Sequence, residues 1–370
     1  MNALRFYSGI ITCVVSFVLI LPVLLIGLPF WLMGGLHTLL VRMYGYAEAV
    51  IQKSPKTYKP LPGRWHALDS IMQYEPVIGW KPKPGLQTYS QDKAGNRYKL
   101  TTDGEGWRKV HHQTENAEVV VFGDSFAFGY GANDQDFYAN LITDPRIKTF
   151  GTNGYSLVQE LLLMEQYSPL LSSKTIIWFI YHGNDLYENL TPNRNHYRMP
   201  FVRQVNGANN WELVSRHVNP EPWNIITDRS YRGKLAEICS DTFLSRRAFA
   251  ACDYLIERGK VLCERLNAPM VVFSIPDKSQ IESKRITKLA GLSPDKDTFD
   301  ENKPDRELEA ICSKHAVPFY ALKDYLNSED LLEKDSHWNR KGNRKVAGLI
   351  RDVHLKHGFR QAASKKSITV

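Results

Sequence analysis

No lysine, arginine, aspartate or glutamate occurs between Arg5 and Arg42. The stretch is rich in Val, Ile, Leu and Phe. It is too long for the core of a secretory signal, and no small-residue cleavage site follows it, so a removed leader is excluded. An uncharged apolar run of this length predicts a retained membrane anchor over residues 1–45. A straight helix rising about 1.5 Å per residue would overshoot a hydrocarbon core of about 30 Å. A tilted or kinked single transmembrane helix resolves this, and so does a re-entrant hairpin bent near Pro22, Gly27 and Pro29. A single span is the simpler reading. Arg42, Lys53, Lys56, Lys59 and Arg64 follow the run and would by the positive-inside tendency keep that side cytoplasmic. The membrane face of the rest of the chain stays open.

Cysteine is scarce as well. The chain has five, with no C-x-x-C pair, which excludes a disulfide framework and thiol redox or zinc-ribbon chemistry. Cys239, Cys252, Cys263 and Cys312 fall in or near helical stretches and are expected as buried free thiols. The net charge of +8 and pI near 9.1 come without any block of basic residues interleaved with aromatics. A basic balance of that kind suits an anionic membrane surface, and no nucleic-acid partner is expected. His111-His112 lacks matching acids, and Gly129-Tyr-Gly131 is too short for a phosphate loop. Neither a metal nor a cofactor is expected.

What is present is alternation. Pro55, Pro60 and Pro62 mark residues 46–73 as a stiff linker. Residues 74–115 carry short strand signals at Val77–Trp80 and Tyr98–Thr102, a small β element ahead of the main domain. From residue 116 to 360 strands and helices alternate. Strands are predicted at Glu118–Phe122, Ile147–Phe150, Thr175–Tyr181, Met270–Ile275 and Pro318–Ala321. Helices are predicted at Gln135–Thr143, Ser156–Tyr167, Lys234–Leu266, Arg306–His315 and Gly342–His357. This order argues for an α/β domain with a parallel central sheet and helices on both faces. Two insertions interrupt it. Residues 193–224 hold a hairpin signal, Phe201–Val205 and Trp211–Val214 around Asn206-Gly207. Residues 277–303 are polar and either overhang the site or form a solvated loop. The tail, 361–370, reads as disordered.

Four short motifs fall where sites of parallel sheets form, at the C-terminal strand ends. Gly123-Asp124-Ser125 ends the first strand. It is not the G-x-S-x-G elbow, because position 127 is alanine. Gly151-Thr-Asn-Gly154-Tyr155 follows the second strand, and Gly183-Asn184-Asp185 the third. Near the C-terminus stands Asp335-Ser-His337-Trp-Asn. A serine hydroxyl is a poor nucleophile until a base takes its proton, and that base must itself be held in the right tautomer. Backbone N–H groups of Ser125 and Gly154, with the amide of Asn184, would supply three donors to a developing oxyanion.

In these four blocks the chain resembles the SGNH/GDSL hydrolase family over about residues 74–359. Val77–Gly85 and Gly104–Arg108 are similar to a β lead-in seen in some members. The resemblance implies a three-layer, flavodoxin-like fold. It implies Ser125 as nucleophile, His337 as base, Asp335 as its acid, and Ser125, Gly154 and Asn184 as the oxyanion hole. The usual last block is D-x-x-H; here Lys334 occupies the acid position, so Asp335 must reach from two residues before the histidine, with Glu333 as a poorer substitute. The D-x-H-W form is similar to that of relatives that O-acetylate secreted polysaccharides. The expected activity is therefore hydrolysis of O-acyl esters, of a glycan or a lipid, through an acyl-serine. Two alternatives stand beside it. One is an O-acyltransferase acting on a glycan hydroxyl, with a membrane protein partner supplying the acyl group. The other is a non-catalytic scaffold tethered to the lipid bilayer.

Overall fold

The structure is a computed structural model that describes residues 71–111, 116–194, 197–205, 210–214 and 231–358. All of them belong to the second of the chain's two units, Pro60–Val370. The expected anchor over 1–45, nearly all of the linker 46–73 and the tail 361–370 lie outside the described residues. Among the described residues no helix is long and apolar enough to cross a membrane.

Two antiparallel hairpins come first: β1 (Met72–Glu75) with β2 (Gly79–Pro82), and β3 (Gln87–Gln91) with β4 (Arg97–Thr101). β1 thus begins inside the stretch read as linker. Five strands follow, of which the three central ones are runs of mostly Val, Ile and aromatic residues buried on both faces, as a parallel sheet covered by helices requires, while the last, at one edge, is half-buried. They are β5 (Val119–Gly123), β6 (Ile147–Gly151), β7 (Thr175–Tyr181), β12 (Met270–Ile275) and β13 (Phe319–Ala321). All pairs among them are parallel, in the spatial order β13-β12-β7-β5-β6. Counted along the chain, that is the 2-1-3-4-5 order of flavodoxin-like sheets, with its topological switch between β5 and β7.

Among the described residues seven α-helices accompany the sheet: α1 (Ser125–Phe128), α2 (Leu157–Gln166), α3 (Tyr231–Ile238), α4 (Phe243–Arg265), α5 (Ser283–Ala290), α6 (Lys303–Lys314) and α7 (Arg340–His357). The alternating side chains of β5 and β7 feed two separate cores. Val120, Phe122, Ile176 and Trp178 pack with apolar residues of α2, α4 and α6. Val119, Val121, Ile177 and Phe179 pack with those of α7. The result is three layers. Between β7 and β12 the chain adds two short antiparallel pairs, β8 (Asn193–Arg194) with β9 (Tyr197–Arg198) and β10 (Phe201–Gln204) with β11 (Trp211–Val214). The second is the expected hairpin; its Asn206-Gly207 tip lies outside the described residues.

One expected helix is absent. Residues 135–143 form two 3-10 turns, Asp134–Asp136 and Tyr138–Leu141, separated by an extended Phe137. The Phe137 ring is fully buried against Gly129, and the next N–H, of Tyr138, donates to Asn343 Oδ1 of α7 at 3.0 Å. Tertiary contacts break the helix that local propensity favours. Cys239, Cys252, Cys263 and Cys312 are buried and free, as expected. Burial pushes the Cys312 thiol up to about 12, which makes it inert.

Candidate active site

β5, β6 and β7 are neighbours, so their C-terminal tips stand side by side, and each tip carries one of the sequence motifs. Asp124 caps the short α1 by accepting from Phe126 N–H at 2.9 Å, which sets Ser125 at the first helical position. The tips come close together because Gly123 and Gly151 lack side chains. A Cβ on Gly151 would run into the Gly123 carbonyl oxygen. Gly154 has φ +81°, and a Cβ there would lie 2.7 Å from Arg194 Nε. The loop around it is clamped by the lead-in: Trp80 Nε1 donates to the Asn153 carbonyl at 3.1 Å, and the Tyr155 hydroxyl donates to the Trp80 carbonyl at 2.6 Å.

The fourth motif comes from the loop before α7. An antiparallel bridge pairs Leu331 with Trp338, and Leu332 N–H donates to the His337 carbonyl at 2.8 Å. Trp338 packs its ring against Phe126, Tyr138 and Phe179. Lys278 Nζ donates to the Leu332 and Glu333 carbonyls at 2.7 and 3.0 Å. This held loop presents His337 with Nε2 2.6 Å from Ser125 Oγ and Nδ1 2.6 Å from Asp335 Oδ1. Its ring stacks on Phe126 at 4.4 Å between centroids and lies 4.6 Å from that of Tyr130.

The short D-x-H spacing works because the Asp335 carboxylate folds back over its own loop. Oδ1 accepts Ser336 N–H at 2.6 Å and His337 N–H at 3.3 Å, an Asx-type turn that swings it to the imidazole. Lys334 and Glu333 point to solvent. Burial alone would raise the Asp335 pKa. The imidazole of His337 and the ammonium of Lys93, whose Nζ is 3.0 Å from Asp335 Oδ2, outweigh it and hold the carboxyl well below the usual range.

Ser125 is 7 % exposed. Its hydroxyl lies 2.6 Å from His337 Nε2 and 3.2 Å from Asp124 Oδ2. A hydroxyl has one proton, and the shorter contact is to the base. The backbone N–H groups of Ser125 and Gly154 have no protein acceptor among the described residues. Asn184 differs. Its amide donates to the Tyr155 carbonyl and to Asp185 Oδ1, both at 2.7 Å. It therefore stands beside the site with both hydrogens engaged, and must rotate to serve an oxyanion. Below lie three buried carboxyls, Asp124, Glu160 and Asp185. Burial, and for Glu160 and Asp185 also the charges of their neighbours, pushes all three above the usual carboxylate range.

Several groups at the site had no signal in the sequence. Lys93 comes from the β3–β4 turn. Asp277, at the start of the second insertion, is buried and binds Tyr181 OH at 2.5 Å and Ser336 Oγ at 2.7 Å. Residues 277–280 are therefore packed under the catalytic loop rather than solvated. Arg194, in the first insertion, sits over Gly154 and pairs with the buried Glu188. His182 is fully buried between Gln280, Ser274 and Asp305 and is structural. Among the described residues no cluster of His, Cys, Asp and Glu could hold a metal ion.

No family model matches the chain, and no curated protein matches it. Solved structures do. A member of the lipolytic G-D-S-L family from Veillonella parvula is 12% identical, with 64% of this chain and 98% of that one covered and a TM-score of 0.38. A GDSL-like lipase from Bacteroides thetaiotaomicron is 12% identical, covering 67% and 92%, with a TM-score of 0.36. A psychrotrophic esterase from Pseudoalteromonas is 12% identical, covering 65% and 96%, with a TM-score of 0.34. The chemistry below rests on the residues of this chain.

Proposed function

We propose that the protein is a serine-dependent ester hydrolase. One observation carries the reading: the unbroken relay from Asp335 through His337 to Ser125, with 2.6 Å at each step. Asp335 holds Nδ1 protonated, so Nε2 is the free base. It takes the Ser125 proton as Oγ attacks the carbonyl carbon of an O-acyl ester. The carbonyl oxygen becomes an oxyanion beside the N–H groups of Ser125 and Gly154, with Asn184 turning to add a third donor. The imidazolium then gives its proton to the departing alkoxide, leaving acyl-Ser125. Water, deprotonated by the same imidazole, releases the acid and restores the serine. The uncharged run before Arg42 would hold this domain at a lipid bilayer, which carbonate extraction of membranes would test.

The test of the chemistry is the intact mass of the full chain in detergent after exposure to a fluorophosphonate, beside Ser125→Ala. A single adduct on the native chain, absent from the variant and accompanied by turnover of p-nitrophenyl acetate, is expected. An unlabelled native chain, or esterase activity surviving in Ser125→Ala, would defeat the reading.

A further inference from the structure

Two cavities lie beside the catalytic acid. The first, about 170 Å³, is bounded by Asp335 and Ser336 of the catalytic loop, by Tyr181 and Tyr231, and by Lys93 and Lys334. The second, about 370 Å³, runs on along α5. They share Arg232, Ser279 and Arg285, so they form one groove that begins at Asp335 and extends away from it.

Its charge is one-sided. Four cations of its walls, Lys334, Arg232, Lys284 and Lys288, are exposed and have no ion pair or hydrogen bond among the described residues. The carboxylates of the groove are all engaged already. Asp277 accepts from Tyr181, Tyr231, Ser336 and Ser279. Glu282 pairs with Lys278 and Arg285, and Asp335 with His337 and Lys93. Four uncompensated positive charges in one concavity make a field that concentrates anions. Lys284 and Lys288 are four apart on α5, hence on one face of that helix, so the charge is spread along the groove instead of gathered at a point.

The groove ends beside the triad. Tyr231, in its wall, passes its hydroxyl so close to Gly183 that a Cβ there would collide with it, and Gly183 precedes Asn184. Asp335, at its inner end, bonds His337 on the side away from Ser125. A chain lying in the groove therefore stops short of Ser125, and a part of it that extends past the inner end comes to the nucleophile.

We propose that this groove binds an acidic glycan, a carbohydrate chain bearing carboxylate or phosphate groups, and anchors it beside the triad, so that an esterified hydroxyl on the part beyond the groove reaches Ser125. The assignment rests on the ester-hydrolase reading above. Spaced cations call for repeated negative charge. The hydroxyls of Ser279, Ser336 and Tyr231 turn their protons toward Asp277, so their oxygens are left as acceptors for the hydroxyls of a hydrated chain. Besides the rings of Tyr181 and Tyr231, whose hydroxyls are tied to Asp277, the walls offer apolar side chains at Leu289 and Leu292 and nowhere between, which makes no continuous sheath for an acyl tail.

The experiment uses the full chain in detergent and its Lys284→Glu/Lys288→Glu variant, which changes two exposed residues outside the catalytic machinery. Binding to polygalacturonate, to dextran and to phosphatidylglycerol vesicles is measured at low and high salt. Turnover of p-nitrophenyl acetate and fluorophosphonate labelling are measured alongside. The native chain is expected to bind polygalacturonate but not dextran, with affinity falling as salt rises. The variant is expected to lose about tenfold or more in that affinity. It should label and turn over the small ester as the native chain does, and KM for acetylated polygalacturonate should rise with kcat retained. Equal binding of polygalacturonate by both proteins overturns the proposal, as does equal binding of dextran and polygalacturonate. A loss confined to the vesicles also overturns it, in favour of a lipid surface. Charge-dependent binding of polygalacturonate without labelling or turnover in either protein would keep the groove and defeat the hydrolase.

Discussion

Lys93 Nζ stands 3.0 Å from Asp335 Oδ2, so the Asp335 carboxylate is shared between His337 and a lysine from the β3–β4 turn. Lys93 is 67% exposed and Asp335 3% exposed, so the ammonium stands in water while the carboxylate does not. The lead-in therefore places a charge on the Asp335–His337–Ser125 chain of hydrogen bonds.

Lys93→Met should make the fold less resistant to acid. The ammonium helps to hold the Asp335 carboxyl below the usual range, so its removal raises the folded pKa, and the stability that this carboxylate contributes is lost at a higher pH on acidification. The midpoint of acid unfolding should therefore move to higher pH, by a small step given the exposure of the lysine. The gap between native and variant should close at high salt. A midpoint that stays in place, or moves to lower pH, would show that Lys93 has no influence on Asp335.

Asp335→Asn should cost about 10³–10⁴ in kcat, because an amide can bond the wrong tautomer of His337. Glu333→Gln should cost almost nothing, since that side chain points to solvent. Steady-state kinetics on p-nitrophenyl acetate separate the two, and equal losses would mean that the acid is misassigned. The depressed pKa of Asp335 has a stability consequence as well. Its contribution is present above the unfolded value near 4 and is lost as pH falls through the lower folded one.

Asn184→Ala should lower kcat by about 10²–10³ while leaving fluorophosphonate labelling confined to Ser125. The side chain also ties the Tyr155 carbonyl to Asp185, so the melting temperature is measured in parallel. A full loss of folding would leave Asn184 as a strut rather than a donor; Asn184→Ser, which retains one donor for the Tyr155 carbonyl or Asp185, then serves as the second variant and should be folded but slow.

Arg108→Met should unfold the domain at markedly lower denaturant. The guanidinium is fully buried, pairs with Asp134 at 3.0 Å, and donates to the carbonyls of Lys99, Gly129 and Ala132. Deleting one partner of a buried pair strands the other, at about 3–5 kcal/mol. Because those carbonyls belong both to β4 and to the turn after Ser125, activity should fall in the same titration as structure. A variant with native stability would sever the lead-in from the site.

The sequence made some of this plain and hid the rest for definite reasons. Continuous apolar runs located β5, β7 and β12 because strands buried on both faces need nothing else. The order of Ser125, Gly154, Asn184 and His337 was legible because each follows a strand or opens a helix, where turn residues stand out. The helix over 135–143 failed because Phe137 is claimed by the core beside Gly129. Lys93, Asp277 and Arg194 stayed hidden because their partners lie far off in the chain, and a lone charged residue in a loop reads as solvated. The burial of residues 277–280 was unreadable for the same reason: polar side chains that satisfy one another look like surface until the partners are seen.

Asp335 and His337 sit two residues apart on one loop, pinned by the Leu331–Trp338 bridge and by Lys278. Both partners of the relay are therefore carried on one held segment, and a single distance, from His337 to Ser125, joins that segment to the sheet. A proteolytic cut at the exposed Lys334 would fall inside the segment and strike acid and base together.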